Sequence, residues 1–316
     1  MSEGVVGAAP PPGGGPDAAL ELAYASGVEV KARSQWAYMR RRFFQHRLAM
    51  ASLVVLIVVL GAGIFASWVA PYRFDGFDPL NSGIGPSWPH HIFGTDTLGR
   101  DYFSRVIYGI QTSERVAFIV AILSTFIGTV VGAVAGFYSG WIDNILMRLT
   151  DLMLTLPFLA VLLTVSAFLG KGDQYRVAII LALLFWPSLA RIVRAQFLSL
   201  REKEYVEAAR ASGSGDTRIM FRHILPNCIG PIIVNATLVV GGAILTEAAL
   251  AFLGFGIQPP TPALGKLIED GQGVSQSEWW LVTFPGLTIV LIVLSINFIG
   301  DGLRDALDPT QRKVRT

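Results

Sequence analysis

The chain alternates long apolar stretches with short polar ones, and the apolar stretches outrun the elements of a soluble core. Ala49 to Ala70 (AMASLVVLIVVLGAGIFASWVA) runs 22 residues without a charge, and Val116 to Tyr138 runs 23. Each exceeds the ~18 residues that mark a membrane-spanning helix. Leu149 to Gly170 carries only Asp151, Cys228 to Phe255 only Glu247, and Trp279 to Ile299 no charge at all. Val177 to Ala190 is the short one, 14 residues before Arg191, a length that also suits a buried or interfacial helix.

Charge decides between five spans and six. With six, both termini share one side, and the other side holds Arg73, Arg100, Arg105, Arg115, Lys171, Arg176 and Lys266. The remaining 18 of the 25 Lys and Arg residues (25 − 7) then lie on the terminal side. With five, the basic loop near residue 200 and the basic C-terminus would fall on opposite sides. Basic flanks favour the cytoplasm. The expectation is an all-α membrane protein with six transmembrane helices, at about 49–70, 116–138, 149–170, 177–198, 228–255 and 279–299, and with both termini and the loop 199–227 cytoplasmic. Composition agrees, since charged residues make up 15% of the chain against ~25% in soluble domains.

The polar segments add detail. Residues 1–33 read as a disordered cytoplasmic tail: they are Pro/Gly-rich at the start, without the basic and apolar regions of a signal peptide. Residues 34–48 read as an amphipathic surface helix, with Trp36, Met39, Phe43 and Leu48 on one side and Arg40, Arg41, Arg42 and Arg47 left to meet lipid phosphates. The six-span domain covers 49–309, and 310–316 form a second cytoplasmic tail. In the first outer connection Asp101 can cap a helix in which Tyr102, Phe103, Val106, Ile107 and Ile110 recur at helical spacing, leaving the turn Gly94 to Asp101 facing water. The second, Gly256 to Glu278, is stiffened by the prolines of IQPPTPALG.

Several functions lose support at this point. The basic residues follow membrane topology and do not gather into a nucleic-acid patch. His90 and His91 are adjacent, a poor arrangement for sharing one ion, and the single cysteine, Cys228, forms no thiolate cluster. Phosphate-loop, zinc-protease and serine-hydrolase motifs are missing from the sequence. Within the spans, Gly128, Gly132 and Gly136 mark a face for close helix packing. Asp151 is expected to pair with Arg148 on its own helix, and Glu247 to sit near the outer face. Pro157, Pro187, Pro231 and Pro285 allow kinks.

The most polar long run of the second half is EYVEAARASGSGDTRIMFRHILPN, Glu204 to Asn227. Ser199 to Ser212 can form a helix, Gly213 suits the left-handed residue that ends it, and Asp216 can cap a second short helix stopped by Pro226. Ala208, Ala209 and Gly213 make a small-sided surface flanked by Glu207 and Arg210, where another backbone can approach closely. A solvated loop with ordinary caps accounts for the same residues.

Glu207-Ala208-Ala209, then Gly213, then the run ending Leu225-Pro226, resemble the "EAA" loop of permease subunits of bacterial ATP-binding cassette importers. HILPN, with His223 where the general pattern has Ile, is similar to the dipeptide and oligopeptide branch. FGTDTLGRD (Phe93 to Asp101), EAALAFLGFGIQPPTPALG (Glu247 to Gly265) and PGLTIVLIVLSINFIGDGLRDALDP (Pro285 to Pro309) extend the resemblance over about Ser34 to Pro309. It implies a type I importer permease fold and a C-type subunit. The implied partners are a B-type permease, two ATPase subunits, an extracytoplasmic substrate-binding protein and membrane lipid, with no nucleic acid. It implies further that the chain is a transport subunit with no catalytic residues and no metal or cofactor of its own, ATP and Mg being held by the ATPases. Tyr205, Glu207, Ala208, Ala209, Gly213 and Asp216, with Arg210 beside them, would form the coupling helix. The outer FGTDTLGRD turn and the loop after Gly254 would dock the binding protein, through Asp96, Arg100 and Gln258. Di- or oligopeptides are the expected cargo, with nickel complexes, glutathione or another small solute as alternatives. A secondary transporter would instead concentrate polar residues at midspan.

Overall fold

The structure, a computed structural model, describes residues 35–170 and 172–307. The expected tails 1–33 and 310–316 lie outside the described residues, as do Ser34 and the side chains of Trp36 and Met39. The chain divides into a unit of residues 1–41, whose described part is helical, and a unit of residues 42–316.

Among the described residues every regular element is helical. In order they are α1 (Gln35–Gln45), α2 (Arg47–Ile64), α3 (Ala66–Val69), α4 (Tyr102–Tyr138), α5 (Gly140–Thr155), α6 (Phe158–Leu169), α7 (Gln174–Leu200), α8 (Glu204–Ala211), α9 (Asp216–Ile219), a π-turn over Met220–Ile224, α10 (Leu225–Phe252), α11 (Leu264–Gln272) and α12 (Trp280–Leu307). A 3₁₀ turn, Pro79–Asn81, lies in the first long connection.

Five helices are long and apolar enough to cross a bilayer: α2, α4, α7, the run Asp216–Phe252, and α12. A sixth crossing exists if α5 and α6 count as one broken span, for they meet at 89°. The segment that read as weakest, around Val177, is thus an unbroken 27-residue helix. The stretch 149–170, which read as one span, is instead two helices. The break is at Leu156-Pro157, where the proline ring forbids the α conformation to the residue before it and Leu156 is extended at ψ 139°.

Three further expectations change. The helix after Asp101 is the first part of α4, which continues through the apolar run to Tyr138. At 37 residues it rises about 55 Å and projects well beyond the ~30 Å apolar core of a bilayer. The surface helix ends at Gln45, because His46 accepts the Ala49 amide on Nδ1 at 3.0 Å and starts α2 as its N-cap. Pro226 stops nothing: it sits in the first turn of α10, where a missing N–H costs little.

α4 packs against α7, and α10 lies against both; α12 joins α10, α2 and α11. The larger core cluster brings together Tyr102, Val106, Val120, Leu181, Ile244, Leu264 and Ile292. A second cluster, at the α8 end of the bundle, gathers Phe137, Val193, Phe197, Val206, Ile219, Ile224 and Cys228. The glycine face is where α4 and α7 meet. A Cβ at Gly128 would lie 2.8 Å from the Trp186 carbonyl oxygen, and one at Gly136 would lie 2.6 Å from the Phe197 Cβ. Only a missing side chain permits that approach.

Candidate functional site

The stretch between α7 and α10 is held at both ends by burial and bare in the middle. Val206 on α8, Ile219 at the end of α9, and Ile224 in the π-turn are each 0% exposed. Burying each from water contributes about 1.5–3 kcal/mol, enough to seat an eight-residue helix too short to stand alone. Outward from these anchors, Tyr205, Glu207, Ala208, Gly213 and Asp216 are exposed and Ala209 is half-buried. Desolvation raises the pKa of the Tyr205 phenol above its ordinary value.

The turn ends α8 as expected. Gly213 has φ +79°, its N–H donates to the Arg210 carbonyl at 2.9 Å, and the Ser214 N–H reaches back to the Ala209 carbonyl at 3.1 Å. This is a Schellman closure, and it demands the left-handed residue. Other details differ. The helix does not run continuously from Ser199, since α7 ends at Leu200 and α8 restarts at Glu204. Asp216 is the first residue of α9 and makes no side-chain cap bond; the capping position belongs to Gly215, whose carbonyl accepts the Ile219 N–H. Arg210 does not flank the small surface but turns back over the Phe137 ring, 5.8 Å from its centroid.

At the opposite end of α4 the FGTDTLGRD turn is a fastener and not a water-facing loop. Gly94, Thr95, Asp96, Gly99 and Asp101 are buried, and only Thr97 and Leu98 are exposed. Asp96 Oδ1 accepts the Leu98 and Arg100 backbone amides, both at 2.9 Å. Its Oδ2 accepts Arg100 Nε at 2.7 Å and Arg105 Nη1 at 2.6 Å. Arg105 also lies 3.7 Å from Asp270 of α11. Asp101 caps α4 by accepting the Ser104 amide at 2.8 Å and meets His91 Nδ1 at 2.9 Å. Trp280 Nε1 donates to the Thr95 carbonyl, and the Tyr102 hydroxyl donates to the Leu267 and Leu281 carbonyls. One turn therefore ties α4, α11 and α12 together.

Neighbouring charges complete this end. Lys266 is desolvated, which would lower its pKa, yet its bonds to Glu269 (2.8 Å) and Asp270 (3.0 Å) outweigh that and raise it. Glu278 is raised by burial first and by the Asp96 charge second. Of the expected docking residues, Asp96 at 4% exposure is an internal acceptor, and Arg100 is bound to it. Gln258 lies in a separate loop, where its amide donates to the Gly256 carbonyl at 2.9 Å.

Sequence reasoning missed several pairs. Asp151 binds Arg191 of α7 at 2.5 Å, in place of the expected Arg148. Asp143 receives a bidentate Arg194 at 2.5 and 2.6 Å. Arg201 donates to the Gly136 and Phe137 carbonyls and to Ser139 Oγ. The available signal was the seven-residue spacing of Arg194 and Arg201, which sets both on one face of a helix. Glu247 is fully buried and accepts the Ser113 hydroxyl at 3.1 Å, a partner that the sequence did not indicate.

A bundle of long apolar helices with an exposed helix-turn-helix between two of them defines a multi-pass membrane protein. The chain belongs to the family of binding-protein-dependent transport system inner membrane components, whose pattern matches residues 128–313. Residues 34–86 match the N-terminal transmembrane domain of oligopeptide transport permease C. The chain is 42% identical to a dipeptide transport system permease protein of Alkalihalophilus pseudofirmus, over 90% of its own length and 93% of the relative's. It is 42% identical to a putative peptide transport system permease protein of Brucella abortus, over 85% and 90%. A glutathione transport system permease protein of Escherichia coli is 40% identical over 88% and 92%.

Proposed function

We propose that this chain is the C-type permease subunit of an ATP-driven importer of di- or oligopeptides in the bacterial cytoplasmic membrane. Its partners are a B-type permease, two ATPase subunits that hold ATP and Mg, and an extracytoplasmic binding protein. The observation that carries the reading is the exposed segment Tyr205 to Asp216, whose small and charged residues stand bare between buried anchors. ATP closes the ATPase dimer, the segment moves with it, and the spanning helices switch between inward-open and outward-open arrangements. The chain contributes path and lever and no chemistry. Two dipeptide or peptide permeases among the relatives favour peptide cargo, and the glutathione permease makes a γ-linked peptide the second reading. Both termini and the segment face the cytoplasm on this reading, by the distribution of Lys and Arg.

The test is ATPase co-purification together with peptide uptake. Gly213→Val places a β-branched residue at φ +79°, a penalty of about 1–2 kcal/mol, and obstructs close approach. Glu207→Lys reverses an exposed charge. Both variants should insert and pair with the B-type permease yet lose ATPase association or uptake. Full coupling in both would refute the docking role.

A further inference from the structure

We infer that Arg201 is a positioning residue that passes movement of the exposed segment 204–216 to the elbow between α4 and α5. The inference rests on the reading of that segment as the ATPase contact. The elbow is Ser139-Gly140, with φ +55° and +62°, and Ser139 is the one non-glycine residue at positive φ among the described residues. Ser139 is strained there, and Gly140, which tolerates positive φ freely, completes a sharp joint.

α7 grips the joint on both sides. Arg194 forms its bidentate pair with Asp143 in the first turn of α5. Two turns further along the same face, Arg201 Nη1 donates to the Gly136 carbonyl at 3.4 Å, to the Phe137 carbonyl at 3.3 Å, and to the Ser139 hydroxyl. The last carbonyls of a helix lack partners within it. All three contacts come from one terminal nitrogen of a planar, rigid guanidinium, which the flexible stem and compact ammonium of a lysine would hold in place less firmly.

Arg201 also stands three residues before α8 begins, and Arg210, near the end of α8, lies over Phe137 of the same elbow. Residues 136–139 are thus held by Arg201, just before the exposed segment, and by Arg210 within it. A push on α8 displaces the joint, and α4 carries that displacement without interruption to the Asp96 fastener at its other end. A mere tether would hold the joint still and leave transport coupling untouched by its loss.

The test uses the whole transporter, both permeases, the ATPases and the binding protein, reconstituted in vesicles. ATPase co-purification, ATP hydrolysis and peptide uptake are measured for Arg201→Ala, Arg201→Lys and Ser139→Ala. The ATPases should co-purify at wild-type levels in each. Uptake per ATP hydrolysed should fall about tenfold in Arg201→Ala, a size common for residues that alter coupling without touching ligand, and less in Arg201→Lys. A wild-type ratio in Arg201→Ala overturns the inference. Should that variant fail to assemble, wild-type ratios in both Arg201→Lys and Ser139→Ala overturn it. Loss of ATPase association in Gly213→Val with normal ratios in the Arg201 variants sinks this inference alone. Retained association in Gly213→Val and Glu207→Lys sinks the docking reading beneath it.

Discussion

A Cβ placed on Gly132 would fall against the Ala190 carbonyl and 2.8 Å from the Val193 Cβ, on the tightest line between α4 and α7. Gly132→Val should therefore destabilise the permease by about 1–3 kcal/mol through overpacking. Gly286 has open space where its Cβ would go and an ordinary helical φ. Gly286→Ala should leave stability unchanged or raise it by about 0.5–1 kcal/mol. Thermal melts of the two variants in detergent check the contrast, and equal melting temperatures would refute it. Asp96 is different, because Asp96→Ala leaves Arg105, at 4% exposure, with only Asp270, at 3.7 Å, as an acidic partner among the described residues. Breaking a buried pair in this way costs about 3–5 kcal/mol. The variant should melt early, so any lost contact with a binding protein would follow from misfolding. A wild-type melting temperature with weakened crosslinking to the binding protein would restore Asp96 to a docking role. The caps at Asp101 and Gly213 were legible in the sequence, since a cap depends on residues within about four positions. The role of Asp96 was not, because its partner Arg105 comes from the first turn of α4 and is itself held by Asp270 of α11.

At the scale of elements, periodicity and apolar runs located the helices, and local exceptions set their ends. Leu149 to Gly170 had the composition of a span, yet Pro157 divides it and leaves α5 attached to the bundle through α4 and α7. That attachment is unequal along its length. The Asp143–Arg194 pair is bidentate with the Asp143 side chain 12% exposed, whereas the Asp151–Arg191 pair is 46% and 53% exposed. Asp143→Asn should lower stability by about 2 kcal/mol or more, in the range of screened-from-water charged hydrogen bonds. Asp151→Asn should cost within about 1 kcal/mol, as exposed pairs do. Chemical denaturation of both, at low and high salt, separates them, and a larger loss at Asp151 would contradict the account. The Asp151–Arg148 pairing expected from sequence fails for a geometric reason. A residue three positions away on the same helix lay within reach, but Arg191 approached from a neighbouring helix that the sequence could not place.

The whole molecule invites a topological test of the six-span reading. Gln276 and Thr217 are both exposed and flank α10, so with a cytoplasmic N-terminus six crossings put Gln276 outside and Thr217 inside, whereas five crossings put them the other way round. Single cysteines at these positions, in a Cys228→Ala background chosen because Cys228 is fully buried in an apolar cluster, should differ in sealed cells. An impermeant thiol reagent should label position 276 and spare 217, and the reverse pattern would overturn the topology. The membrane class, the apolar stretches and the bare, small-sided segment around Gly213 were already determined by the sequence. Their causes are short-ranged or collective: transfer of a continuous apolar run from water, and backbone preferences of single residues. Pro157 carried the break in 149–170 locally, and only the tertiary structure decided that the FGTDTLGRD turn is a buried fastener and that Arg194 and Arg201 grip one elbow. Those outcomes depend on which helices come within hydrogen-bonding distance across 51 and 62 positions of chain. No local pattern encodes that distance, and the close approach that the glycine face of α4 permits creates it.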